Sequence, residues 1–142
     1  MKVVQLSVFL GNEEGRLSEV MAVLANAKVN IRALSLADTA DFGVLRIIVD
    51  SPDAAIQALK DADIVVKTTD IIAVEVEDRP GGLAKVLEVF KKEKINIEYM
   101  YAFVEKNNDN AVLVFRVEET DKVIKRLKGK VNILEADKVY RI

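Results

Sequence analysis

The chain has 142 residues, room for one typical domain or two small ones, and 51% of them are hydrophobic, enough for a packed core. Charged residues make up 31% but almost cancel, to a net charge of −2 and a pI near 5.3, which argues against a nucleic-acid binder with its basic excess. There is no Cys and no His, which excludes disulfides, thiolate and imidazole metal ligands, and Cys–His or Ser–His–Asp catalysis.

Taken in order, Val4, Leu6, Val8 and Leu10 alternate with Gln5, Ser7 and Phe9, the period of a strand. Leu17, Val20, Met21 and Leu24 follow at helical spacing. Ile31 to Ala37 and Gly43 to Val49 read as strands, Pro52 opens a helix with Ala55, Ile56 and Leu59 inward, and Ile64 to Val66 reads as a short closing strand. The order then recurs. Ile71 to Val76 is a strand, and Leu83, Val86, Leu87 and Phe90 form a helical stripe. Ile97 to Val104 and Ala111 to Val117 are strands, and Val123, Ile124 and Leu127 mark a helix. Val131 to Leu134 is a last strand, and Val139 to Ile142 is expected to add an edge pairing.

The recurrence is an internal repeat. An offset of 66 aligns Gly15 with Gly81, Leu17 with Leu83, Lys28 with Lys94 and Asn30-Ile31 with Asn96-Ile97. An offset of 68 then aligns Val44-Leu45 with Val112-Leu113 and Leu59-Lys60 with Leu127-Lys128, the two extra residues falling in the polar run Lys106 to Asn110. Each half reads strand–helix–strand–strand–helix–strand. The expected fold is therefore α+β: two ferredoxin-like βαββαβ units, residues 1–70 and 71–142, with antiparallel sheets and both helices on one face. Units of this size are near the lower limit for an independent core, so pairing into a homodimer is expected.

The informative segment is Asp78-Arg79-Pro80-Gly81-Gly82-Leu83, with Asn12-Glu13-Glu14-Gly15-Arg16-Leu17 as its weaker copy. In each a strand enters a glycine turn and a helix leaves it. Pro80 suits the first helical position, and Gly81 and Gly82 let a ligand approach the backbone. The helix N-terminus presents unpaired N–H groups suited to a carboxylate or phosphate. Such a turn also needs Gly and Pro for its conformation alone. Asn30 and Asn96 open the second strand of each unit, either tolerating a left-handed backbone or offering an amide to a ligand across an interface. Ile97, Tyr99, Tyr101 and Phe103 alternate on one strand face, and the two tyrosines are candidates for a pocket or dimer interface. Arg16 is a candidate bidentate carboxylate ligand.

These residues resemble an ACT domain, the amino-acid-binding regulatory module, specifically in 71–142 and more faintly in 2–70. The whole chain looks like a small stand-alone protein of two such domains. The resemblance implies an amino acid bound at a domain interface, against the turn between first strand and first helix, with strand-2 residues contributed by another unit. It points to Asp78, Arg79, Pro80, Gly81, Gly82, Leu83 and Asn96, and to Asn12, Glu13, Glu14, Gly15, Arg16, Leu17 and Asn30. The first copy departs from the pattern: Glu14 stands where Pro is usual, and Glu13 and Glu14 would repel a carboxylate.

The function expected is a non-catalytic amino-acid sensor, or a regulatory subunit acting in trans on an amino-acid biosynthetic enzyme. A nucleic-acid-binding role is the alternative in the same topology, but the aromatic Gly pattern of an RNA-recognition sheet is missing from Val44 to Val49 and Ala111 to Val117. No phosphate-loop, dinucleotide or metal-ligand motif occurs, so no catalytic residue, metal or cofactor is expected. Neither a secretory signal nor a membrane-spanning run is expected, which points to the cytoplasm.

Overall fold

The computed structural model describes residues 1–38 and 42–142. Its elements are β1 (Val3–Gly11), α1 (Arg16–Asn26), β2 (Ile31–Asp38), β3 (Phe42–Val49), α2 (Pro52–Asp61), β4 (Val66–Glu77), α3 (Gly82–Lys92), β5 (Ile97–Ala102), β6 (Asn110–Val117), α4 (Thr120–Leu127), β7 (Asn132–Ile133) and α5 (Ala136–Arg141). They fall into two compact units, Val4–Thr69 and Asp70–Ile142 together with Met1–Val3.

In the first unit β3 pairs antiparallel with β1 on one side and β2 on the other, and the Phe9 N–H donates to the Val65 carbonyl at 3.1 Å. The inward halves of these strands, Leu6, Val8, Leu10, Leu45, Ile47 and Val49, meet Val20 and Leu24 of α1 and Ala55 and Leu59 of α2. In the second unit the pairings give the order β7-β4-β6-β5, all antiparallel. There Ile72, Val74, Val76, Phe115 and Val117 meet Phe90 of α3 and Val123 and Leu127 of α4. Phe90 and Phe115 pack with ring centroids 4.9 Å apart and planes tilted by 42°, in the places that Leu24 and Ile47 hold in the first unit. This is the α+β, ferredoxin-like arrangement the repeat predicts.

Three expectations need correction. The stretch Lys67 to Asp70 is no break, because β4 runs unbroken from Val66 to Glu77: with Thr68 and Thr69 β-branched and no Gly or Pro, the chain stays extended. The C-terminal residues form helix α5 rather than an edge pairing, with Val139 buried, Asp137 in its first turn and Lys138 and Arg141 in its last, as a helix dipole favours. Lastly, the register of β5 slips between Ile97 and Tyr99. Ile97 therefore lies opposite Val117 against the helices, whereas Tyr99 and Tyr101 lie opposite Arg116 and Val114 on the other sheet face. The four residues do not share one stripe.

At the ends of α1 and α3 the left-handed residues are Lys28 and Lys94 (φ 59° and 56°), not Asn30 and Asn96. In both, the helix ends in a Schellman motif. The Lys28 and Lys94 N–H groups donate to Ala25 and Lys91, while Val29 and Ile95 donate back to Leu24 and Phe90 at 3.0 and 2.9 Å. The apolar residue after the left-handed one thus covers the helix end, and the Asn comes one residue later. Lysine in this conformation costs roughly 1–2 kcal/mol relative to glycine. Lys94→Gly is therefore expected to raise the unfolding free energy by about 1 kcal/mol in a urea melt, and Asn96→Gly to give no gain; the reverse order would return the left-handed role to Asn96.

Candidate functional site: the two strand-to-helix turns

The two turns share one hydrogen-bond pattern. In the second, the Arg79 N–H donates to Glu77 O (3.0 Å), Gly82 N–H to Arg79 O (3.0 Å) and Lys85 N–H to Gly81 O (3.1 Å). In the first, Glu13 donates to Gly11 (2.9 Å), Arg16 to Glu13 (3.4 Å) and Glu19 to Gly15 (2.9 Å). Each helix starts on a left-handed glycine, Gly15 with φ 81° and Gly81 with φ 85°, and neither start carries a side-chain cap. The N–H groups of the next first-turn residues, Leu83 and Ala84 or Leu17 and Ser18, have no acceptor within the helix. Leu17 and Leu83 themselves are 38% and 36% exposed, an apolar contact beside each turn.

Pro80 does not take its expected place, and the two glycines answer different demands within the chain. The helix begins at Gly82, so Pro80 precedes the left-handed N-cap rather than filling the first helical position. A Cβ on Gly81 would meet nothing within 4 Å, so its conformation is the only demand for glycine. A Cβ on Gly82 would sit 2.0 Å from the Glu77 carbonyl oxygen. The absent side chain of Gly82 admits the protein's own backbone. Arg16 stands at the matching place in the first turn, where the closing hydrogen bond is correspondingly longer.

Charge separates the two turns. Arg79 Nη2 lies 2.5 Å from Glu77 Oε2, and the Lys106 ammonium pairs with the Asp78 carboxylate. That carboxylate draws the Lys106 ammonium above its ordinary range, first by the hydrogen bond and then by its charge. In the first turn Arg16 is shared between Glu13 (Nε to Oε2, 3.6 Å) and Glu19 (Nη1 to Oε2, 3.3 Å), and Glu14 adds a further negative charge. Arg16, the candidate carboxylate ligand, is thus paired with one acid of the turn and one of its own helix. Beside this turn lies a cleft of about 200 Å³ lined by Phe9, Leu10, Gly11, Arg16, Glu19, Val20, Asp63, Ile64 and Val65.

The remaining predicted residues do not join the turns within a unit. Asn12 and Asp78 lead directly into them, but Asn30 and Asn96 lie past the far ends of α1 and α3, helices of 11 residues. At 1.5 Å per residue that is about 16 Å from the N-terminus. The Asn30 backbone is fastened to Asp50, donating to its Oδ1 at 2.9 Å and accepting from its N–H at 3.0 Å. Tyr99 and Tyr101 are half-buried on the sheet face away from the helices.

Sequence reading missed one cluster. Three asparagine amides donate to the half-buried Glu75 carboxylate: Asn110 at 2.8 Å, Asn132 at 3.0 Å and Asn107 at 3.2 Å. A signal was present, since the offset of 66 sets Glu75 opposite Phe9, and the polar run holding Asn107 and Asn110 is where the repeat gains two residues. Among the described residues no group of three or more Asp, Glu, His or Cys side chains is placed to hold a metal ion, and no helix is long and apolar enough to cross a membrane.

A ferredoxin-like unit built twice, each with an uncapped glycine turn, defines a tandem α+β protein. A family model for an ACT domain pair matches residues 1–140. The chain belongs to that family. It is 46% identical to a protein of solved structure from Bacteroides thetaiotaomicron, with a TM-score of 0.92 over 100% of this chain and 98% of that one. The ligand-free regulatory subunit of aspartate kinase from Thermus thermophilus shares the fold, at 15% identity and a TM-score of 0.62 over 88% and 90% of the two chains. A probable acetolactate synthase small subunit from Archaeoglobus fulgidus is 35% identical over 72 residues, 50% of this chain. The match takes in 45% of that relative, so the chain spans less than half the length of the curated protein it matches.

The roles of the two glycines are separable. Gly81→Ala is expected to cost roughly 1–2 kcal/mol of stability through backbone strain alone. Gly82→Ala must displace the Glu77 carbonyl and is expected to cost more, about 3 kcal/mol. Equal losses in denaturant melts would contradict the close approach at Gly82.

Proposed function

We propose that this chain is a non-catalytic amino-acid-binding regulatory protein, with the ligand carboxylate held at the turn before α3. The observation that carries this reading is the helix start itself. The N-cap is a left-handed glycine without a side-chain cap, so the first-turn N–H groups of Leu83 and Ala84 are left for an outside acceptor. The paired charges around it, Asp78 with Lys106 and Arg79 with Glu77, present no net negative charge to an incoming carboxylate. Membership of the ACT domain-pair family supports the same assignment. Residues 1–70 and 71–142 serve as its two domains. Because Asn96 lies a helix length away from its own turn, a ligand touching both needs a second domain, which we assign to another copy of the chain in a homodimer.

A second reading has its own support. The identity to a probable acetolactate synthase small subunit favours action in trans on an amino-acid biosynthetic enzyme, in the cytoplasm. On either reading the protein must bind its ligand more tightly in one state than in another, because only differential affinity shifts an equilibrium.

The test is a thermal-shift screen against the twenty amino acids. A ligand that binds only the folded chain adds about 2.7 kcal/mol of stability at 100 times its dissociation constant. One amino acid, or a small related group, is expected to raise the melting temperature. The shift should vanish with the corresponding decarboxylated amine and weaken in Gly81→Asp. No shift with any amino acid at millimolar levels would contradict the reading.

A further inference from the structure

The two units differ sharply at the positions that pair Glu75 with Asn110 in the second. In the second unit the segment between β5 and β6 is a closed hairpin: Asn107 and Asn110 exchange backbone hydrogen bonds at 3.0 and 3.1 Å, and both their side chains hold Glu75. Lys106 precedes this clamp and reaches Asp78. In the first unit the position of Glu75 is Phe9 and that of Asn110 is Phe42, whose rings lie 6.1 Å apart. The residues from Asp38 to Phe42 include no Lys or Arg. A polar clamp next to Lys106 in one repeat is an aromatic contact in the other, with the Lys67 ammonium 5.5 Å from the Phe9 ring centroid.

We propose that Lys106 is a specificity-determining residue of the second turn and that Glu75 is its positioning residue. This rests on the amino-acid reading above. A free α-amino acid is a zwitterion, and the Asp78–Lys106 pair carries its complement: Lys106 takes the ligand carboxylate together with the Leu83 and Ala84 N–H groups, and Asp78 takes the ammonium. Both side chains are accessible, 47% and 59% exposed. An exposed pair of this kind holds little energy of its own, so exchanging partners with the ligand costs little. The clamp matters because the hairpin is ordered before the ligand arrives, and binding need not order it. The first turn has no counterpart of Lys106 or of the clamp, its Arg16 is held by Glu13 and Glu19, and it does not take the zwitterion.

The experiment is calorimetric titration of the intact protein with each of the twenty amino acids, repeated on variants with whichever one binds. Lys106→Met is expected to weaken binding about tenfold or more, and Lys106→Arg to restore part of the loss. Glu75→Ala is expected to weaken binding in the wild-type background and to add nothing to Lys106→Met; Asn107→Ala, which removes one tether and leaves the strand intact, should behave alike. Unchanged affinity in Lys106→Met would overturn this inference while leaving the amino-acid reading in place. Equal losses from Glu75→Ala or Asn107→Ala with and without Lys106 would overturn the positioning role. Wild-type protein that binds no amino acid overturns the reading and the inference with it.

Discussion

The Glu77 carbonyl oxygen occupies the space where a side chain at position 82 would begin, and the second turn follows from that contact. It forces glycine at 82 and brings the end of β4 directly beneath the start of α3. Gly81, turned left-handed, then starts the helix without a side-chain cap. Phe90, two turns further on, is delivered to Phe115 in the core. Local backbone geometry, helix packing and the candidate ligand surface are thus one arrangement. The N-cap, Gly81, is glycine for its left-handed conformation and has no side chain to cap the helix, so the first-turn N–H groups lack a side-chain partner from it.

The repeat shows which parts of this arrangement are scaffold. The turn hydrogen bonds, the left-handed glycine and the Schellman ends recur in both units. What differs is decoration: Arg16 for Gly82, Glu14 for Pro80, Phe9 for Glu75, Phe42 for Asn110. The first unit keeps the geometry but lines its turn with acids and places a cleft of about 200 Å³ beside it. The two halves offer different chemistry on one backbone.

Most of the fold was legible because it is encoded in periodicity. Alternating Val3 to Leu10 and the stripe Leu83, Val86, Leu87, Phe90 have one physical solution each, and their repetition gives the unit. The misreadings come from features that periodicity does not carry. A register slip after Ile97 moves Tyr99 and Tyr101 to the opposite face, which alternation along one strand cannot reveal. The last residues have the apolar spacing of a short strand or of a helix turn alike, and α5 is settled by its end charges. At the site, the conformational need for glycine was legible from sequence, but not the close approach of Gly82 to the Glu77 carbonyl, which is a matter of backbone atoms distant from any local pattern. Lys106 and the Glu75 clamp depend on pairing across three strands, which no local pattern announces.

The central claim is that the N–H groups opening α3 bind a carboxylate. The most direct measurement is a two-dimensional amide NMR titration of the labelled protein with the amino acid that raises its melting temperature. The account predicts that the largest shifts fall on Leu83 and Ala84, with smaller ones at Asp78 and Lys106, and that the matching amides of Leu17 and Ser18 stay in place. Shifts centred on Leu17 and Ser18, or on neither helix start, would contradict it.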